Sequence, residues 1–432
     1  MPIAKVNPEA GDRQRARHPS YAAAFQCIGP ACEDPCCGEW DIPLDQATYA
    51  RYQRFPEKKL RALVSHFVTI NPPGSSPGLY AQIRLGPSRL CPFWDSDRLC
   101  SIQKEHGPQM LSATCSIYPR SLSRVDGVLE GTLSLSCPEA VRNVLLNPGF
   151  LDVTGDLHSG AFRTDNSHQL ARDGNGAPRK PHRSFAAVRT RMIEMVRDRS
   201  RPITERLLAI GSLCQQLQQV LDRGGDDAVP AFLDRFQDSP EARAADAAFE
   251  SQPANPALKL EVVLKLADDR LREATCGKRF REVFFAFVEG IATADGSLSG
   301  DDIGCLRFAE RTWYQPFFER SPHILENYLL NSMLQNLFPT GRETSAGCAP
   351  RSMFDEFLLL TTQFAWINAV LVGVAGRYKE SFAAEHVVEV VQSFTREVEH
   401  YPPVLHSILE SIKGRKLGTL AGMSLLLRSW NG

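Results

Sequence analysis

Eight of the twelve cysteines, Cys27, Cys32, Cys36, Cys37, Cys91, Cys100, Cys115 and Cys137, fall within the first 137 residues. Their spacing is Cys27-x4-Cys32-x3-Cys36-Cys37, then Cys91-x8-Cys100-x14-Cys115-x21-Cys137. Thiolates are soft ligands for zinc or for iron-sulfur clusters, and either would take four of them, so eight thiols exceed one site. Adjacent Cys36 and Cys37 cannot easily aim both sulfurs at one small ion. Four-cysteine zinc sites usually come as two close pairs, an arrangement lacking here. The steps Cys91-Pro92 and Cys137-Pro138 pair cysteine with a residue of fixed φ, as cluster-binding runs do. The spacing therefore favours iron-sulfur over zinc. The N-terminal MPIAKVNPEAGDRQRARHPS carries charge without a following apolar run, so the expectation is a cytoplasmic chain with reduced thiols. Cys214, Cys276, Cys305 and Cys348 stand singly and read as inert or buried thiols.

The elements that must position these thiols are mostly helical. Residues 21–154 read as a Cys-rich metal-binding domain of short helices and loops, with a small hairpin at Val125-Asp126-Gly127-Val128. The stretch 155–183 is polar and rich in Gly, Asn and Pro, and reads as an exposed linker in which His158, His168 and His182 are solvated. Apolar residues at three- and four-residue spacing then predict helices throughout 184–432. The fold class expected is mainly α: a small metal-stapled N-terminal domain followed by an all-helical one. The uncharged stretch Phe357 to Gly376 is long enough to cross a bilayer, yet it holds Thr361, Thr362, Gln363 and Asn368 and reads as a buried core helix. Of 432 residues, 49 are Lys or Arg and 50 are Asp or Glu, a net charge of -1 that offers no field for nucleic acid or anionic lipid.

The stretches FQCIGPACEDPCCGEWDIPLDQATYARY, CPFWDSDRLCSIQKEHGPQMLSATCSIYPR and LSLSCPEA resemble the flagellin lysine-N-methylase family. The N-terminal part is also similar to the wider CxxCxxCC zinc- or iron-chelating domains. LENYLLNSMLQNLFP at 325–339 and SFTREVEH at 393–400 extend the resemblance into the C-terminal half. The resemblance implies a bacterial enzyme that moves methyl groups from S-adenosylmethionine to lysine ε-amines of flagellin and carries a 4Fe-4S cluster. It places the chelating motif on Cys32, Cys36, Cys37, Cys91, Cys100 and Cys115, with Cys27 and Cys137 specific to the methylase version. The first cysteines depart from the wider family's C-x2-C-x2-CC spacing, and all four of them stay candidate ligands.

Neither usual site for the methyl donor is visible. No Gly-rich loop joins a strand to a helix, and the radical C-x3-C-x2-C spacing is missing, since Cys36 is followed at once by Cys37. Arg396, Glu399 and His400, at i, i+3 and i+4, would share one helical face. Read functionally, Arg396 and Asn327 bind the donor, while Glu326, Tyr328, Glu399 and His400 are candidate bases for a lysine whose deprotonation at pH 7 costs about 4 to 5 kcal/mol. Read structurally, the same residues cap and balance helix ends. Trp40 and Tyr49 read as packing around the metal. Polar methyl transfer is expected, because the neutral amine and the sulfonium already suit each other. The competing class is a non-catalytic metal-binding or electron-transfer protein whose helices form a partner platform.

Overall fold

A computed structural model describes residues 21–152, 167–171, 179–236, 253–292, 301–343 and 351–431, apart from Asp41 and Ser76. Cys348, His158 and most of the 155–183 segment lie outside the described residues. The architecture is mainly helical, organised around the Met353–Tyr378 helix. Ser352 and Asp355 form a reciprocal capping box at its start, satisfying backbone donors that the first turn leaves open. Its most apolar 18-residue window is 89% buried, so this helix, the one among the described residues long and apolar enough to span a membrane, is the core helix of the fold. Against it pack the helices Ile203–Gly224, Lys278–Ile291, Asp302–Ala309, Ala384–Phe394, Pro402–Gly414 and Leu420–Leu427.

The closest of these approaches is made possible by glycine. Gly290 lies against Gly373 and Gly376, backbone to backbone, and a Cβ at 290 would run into the Gly373 carbonyl. Gly290→Ala must push the two helices apart, because backbone cannot rotate out of the way as a side chain can. The expected loss is about 3 kcal/mol of unfolding free energy, read from urea denaturation; an unchanged midpoint would contradict the packing described.

Besides a minor cluster of Val125, Phe185 and Leu337, the described residues form two main hydrophobic cores. A small one gathers Ile42, Leu44, Tyr52, Phe55, Leu60, Ile83, Phe93 and Ile102. It lies on a three-stranded antiparallel sheet in which Ala81–Ile83 is flanked by Ile42–Leu44 and Val68–Ile70, paired Ile42 to Ile83 and Val68 to Ile83. The large core runs from Tyr21 to Trp430. It takes in the hairpin Arg120–Val125 and Val128–Leu133, whose turn residues Asp126 and Gly127 both have positive φ (49° and 79°), as a two-residue hairpin turn demands. It also takes in the Pro138–Leu145 helix, which packs on His323–Gln335 and Ala384–Phe394.

The cores therefore do not divide at 155–183. Leu122, Leu133, Val141 and Val144 are buried in the helical body, and Glu130 of the hairpin meets Arg189 of the Phe185–Arg197 helix through two bonds of 2.6 and 2.7 Å. The physical reason is apolar continuity, which a boundary drawn on polar composition cannot register. Within that segment, His168 bonds backbone to backbone with Leu122 and Arg124. Its imidazole is pushed down to about 4 by desolvation and by Arg342. Lys180 is buried, donating to the carbonyls of Thr340 and Arg351. The described part of the expected exposed linker is thus tied to the body.

Candidate functional site

Three loops of the small lobe bring the thiols together. The amide of Cys91 donates to the carbonyl of Cys37 at 2.6 Å, and Gly38 and Leu90 form an isolated bridge beside it. A second bridge joins Trp94 to Cys100, and the amide of Cys115 is capped by Ser112 Oγ at 3.1 Å. Cys37, Cys91, Cys100 and Cys115 line the small core. Burial pushes Cys91 up to about 12 and raises Cys100 and Cys115, and charge on these sulfurs and on Cys36 opposes charge on the others. Burial likewise takes Cys32 to about 11 and Cys137 to about 12, with Cys27, Cys32, Cys36 and Cys137 forming a second neighbourhood. Cys36 belongs to both. The neighbouring Cys37 thiol and the Arg396 guanidinium bring its own thiol down from the ordinary range.

Arg396 comes from the helical body. Its guanidinium pairs with Asp34 at 2.7 Å and donates to the Gly38 carbonyl, so it spans the loop from two residues before Cys36 to two residues after it. Gln392, fully buried one turn earlier, donates to Asp34 and to the Ser136 carbonyl at 2.7 and 2.9 Å. Trp40 Nε1 donates to the Cys36 carbonyl at 2.8 Å, and its ring meets Tyr118 and His400 edge-on. These contacts depend on Thr395–Glu399 being a π-helical turn rather than a continuation of the Ala384–Phe394 α-helix. A wider turn aligns i with i+4 better than with i+3. Arg396 and His400 accordingly face one cleft, while Glu399 points elsewhere, and the single face expected from α-helical spacing is split.

That cleft lies between the lobe and the body. It comprises hollows of about 280 and 690 Å³ that share Glu39, Arg396 and Glu397 as lining. Glu397 is held by Arg270 at 2.5 Å, and Glu39 by Arg89 at 2.7 Å. Ser134 Oγ contacts His400 Nε2 at 2.7 Å. Desolvation together with Arg342 and Arg396 keeps the His400 imidazole neutral, down at about 4.

The remaining sequence candidates have other occupations. Glu326 is buried and pairs with Arg199 (2.7 Å) and Arg206 (2.8 Å), the partners of a structural charge. The Asn327 amide donates to the carbonyls of Val144, Leu145 and Asn147 at the end of the Pro138–Leu145 helix, a capping contact away from the cleft lined by Arg396. Tyr328 donates to Glu399 at 2.9 Å, and Glu399 lines a pocket of about 70 Å³ with Arg342 and Gln363. Tyr49 packs beside Tyr80. Residues that sequence reasoning missed are Asp34, Glu39, Arg270, Gln392 and Glu397; Asp34 and Glu39, each two places from the Cys36-Cys37 pair, and Glu397, next to Arg396, carried a local signal.

Desolvation pushes the Glu399 carboxyl up to about 7 against the opposing effects of Tyr328 and Arg342. Between the ordinary carboxylate range and pH 7, the folded chain keeps a proton that the unfolded chain has lost. This group's contribution to stability is therefore fully present in acid and is lost as pH rises through 7. Glu399→Gln should match wild type near pH 5 and exceed it by about 2 kcal/mol near pH 8. His400 has the reverse linkage, so the informative quantity is the difference between the two unfolding curves at each pH. A difference that does not change with pH would rule out a protonated Glu399.

A thiol-rich lobe docks on a helical body, and an arginine of the body clamps the cysteine loop beside a cleft shared by the two. The sequence model of the FliB lysine N-methylase C-terminal domain matches residues 189–426, and the chain belongs to that family. It is 36% identical over 132 residues to lysine-N-methylases of Salmonella typhimurium (strain LT2) and Salmonella choleraesuis, covering 30% of this chain and 32% of each relative. It thus spans about a third of those relatives' length. The flagellar biosynthetic protein FliU of Salmonella muenchen is matched at the same identity over 76% of its length. No solved structure matches.

Proposed function

We propose that this chain is a cytoplasmic lysine N-methyltransferase that modifies flagellin with S-adenosylmethionine and holds a 4Fe-4S cluster in its thiol lobe. What carries the reading is the family match together with the thiols gathered beside Arg396, which reaches their loop from the matched region. The donor set suits a cluster. Cys91, Cys100 and Cys115, raised by burial, would ionise on binding a cation that neutralises them. Cys36, Cys37, Cys91, Cys100 and Cys115 would supply the ligands, with Cys27, Cys32 and Cys137 behind them or at a second site. When bound, the cluster supplies either structural support or an anchor for the donor's amino and carboxylate groups.

This chain's own residues do the rest. The cleft admits a lysine side chain from a protein surface, and the carboxylates of Glu39 and Glu397 favour its approach. Neutral His400 adds no positive charge where the amine and the sulfonium meet. The amine lone pair forms the new N–C bond as the S–C bond breaks, S-adenosylhomocysteine leaves, and the amine proton passes to solvent. Turnover of purified flagellin with donor and no reductant tests this polar course. Strict dependence on a one-electron reductant, with 5′-deoxyadenosine released, would overturn it.

A further inference from the structure

We infer that the larger hollow of the cleft, bounded by Trp40, Tyr401 and Arg84, is the seat of the methyl donor, an adenosyl sulfonium amino acid. This rests on the methyltransferase reading above and gives its donor a place. At about 690 Å³ the hollow falls within the range of small-molecule sites, whereas the neighbouring hollow of about 280 Å³ suits a single extended side chain. Two aromatic rings, Trp40 and Tyr401, give a purine something to stack on, and Tyr401 is 38% exposed.

The charges are arranged for the rest of such a molecule. Of the four guanidiniums lining the hollow, Arg89, Arg270 and Arg396 are each matched by a carboxylate. Among the described residues Arg84 has no ion pair; its Nε donates to Thr69 Oγ1 at 3.0 Å. A carboxylate is the natural partner for the remaining face of that fork. Glu39 and Glu397 line both hollows, and although each is paired with an arginine, their oxygens are the acidic groups at the junction that a sulfonium would meet. A donor with its carboxylate at Arg84 and its sulfonium at Glu39 and Glu397 would present its methyl group toward the hollow where a lysine enters.

Calorimetric titration of the anaerobically purified full-length protein tests the placement, using S-adenosylmethionine and 5′-methylthioadenosine, which lacks the amino-acid end. Both Arg84→Gln and Tyr401→Leu alter exposed side chains, and circular dichroism checks that each is folded. Arg84→Gln should weaken S-adenosylmethionine about tenfold and leave 5′-methylthioadenosine unchanged, while Tyr401→Leu should weaken both by a similar factor. A purely structural effect of Arg84 would move both ligands together, and that result overturns the placement. So do variants that bind the donor as wild type does while the wild type methylates flagellin. A wild-type protein that neither binds the donor nor methylates flagellin overturns the enzymatic reading itself.

Discussion

Replacing Cys91, Cys100 or Cys115 by serine should remove most of the iron from the anaerobically purified protein and cut methyl transfer by about a hundredfold or more. Each sulfur sits on a different turn of the small lobe, and each is raised by burial and by its neighbours. A hydroxyl at any of the three is a poor ligand, so the lobe would lose both the group and the cross-link it provides. Cys214→Ser is the control. That thiol is buried in the Ile203–Gly224 helix among apolar residues, and its replacement should leave iron and turnover unchanged. Iron retained at wild-type level in all three lobe variants would remove the cluster from these cysteines.

Glu326→Gln should lower stability by about 3 kcal/mol while leaving turnover per folded molecule unchanged. Its carboxylate accepts from Arg199 and Arg206, and Arg206 is only 8% exposed. Without the carboxylate that guanidinium is left charged and underpaired in the interior, which costs far more than losing a surface pair. Urea denaturation reads the stability, and initial rates well below the unfolding midpoint read the activity. A variant of normal stability whose activity collapses would return Glu326 to the catalytic set.

Much of the helical body was legible in the sequence because amphipathic spacing is local. The Phe185–Arg197 helix has the limits its apolar period suggests, and the Asp126-Gly127 turn is readable from residues that tolerate positive φ. The three-stranded sheet was not legible, since each strand has three residues, too few for alternation to register. Within the helices expected throughout 184–432, the last apolar stretch is two helices, Pro402–Gly414 and Leu420–Leu427, because the chain turns through Lys416, at φ 61°, and Gly418. At the site, the cysteines announced themselves by spacing. Arg396 could be singled out as a charge, but its partner Asp34 lies 362 positions away, a contact that only the tertiary fold creates. Asn327 and Glu326 looked chemical for the reason that makes them structural: they are polar groups on a helix that is buried nearly throughout.

Mass spectrometry of flagellin co-expressed with this protein tests the central claim most directly. Peptides should carry surface lysines heavier by one CH₂ per methyl group in cells containing the wild-type chain, and unmodified lysines in cells containing Cys91→Ser or no copy. Flagellin from wild-type cells with every lysine unmodified, recovered beside folded and iron-loaded protein, would contradict the account.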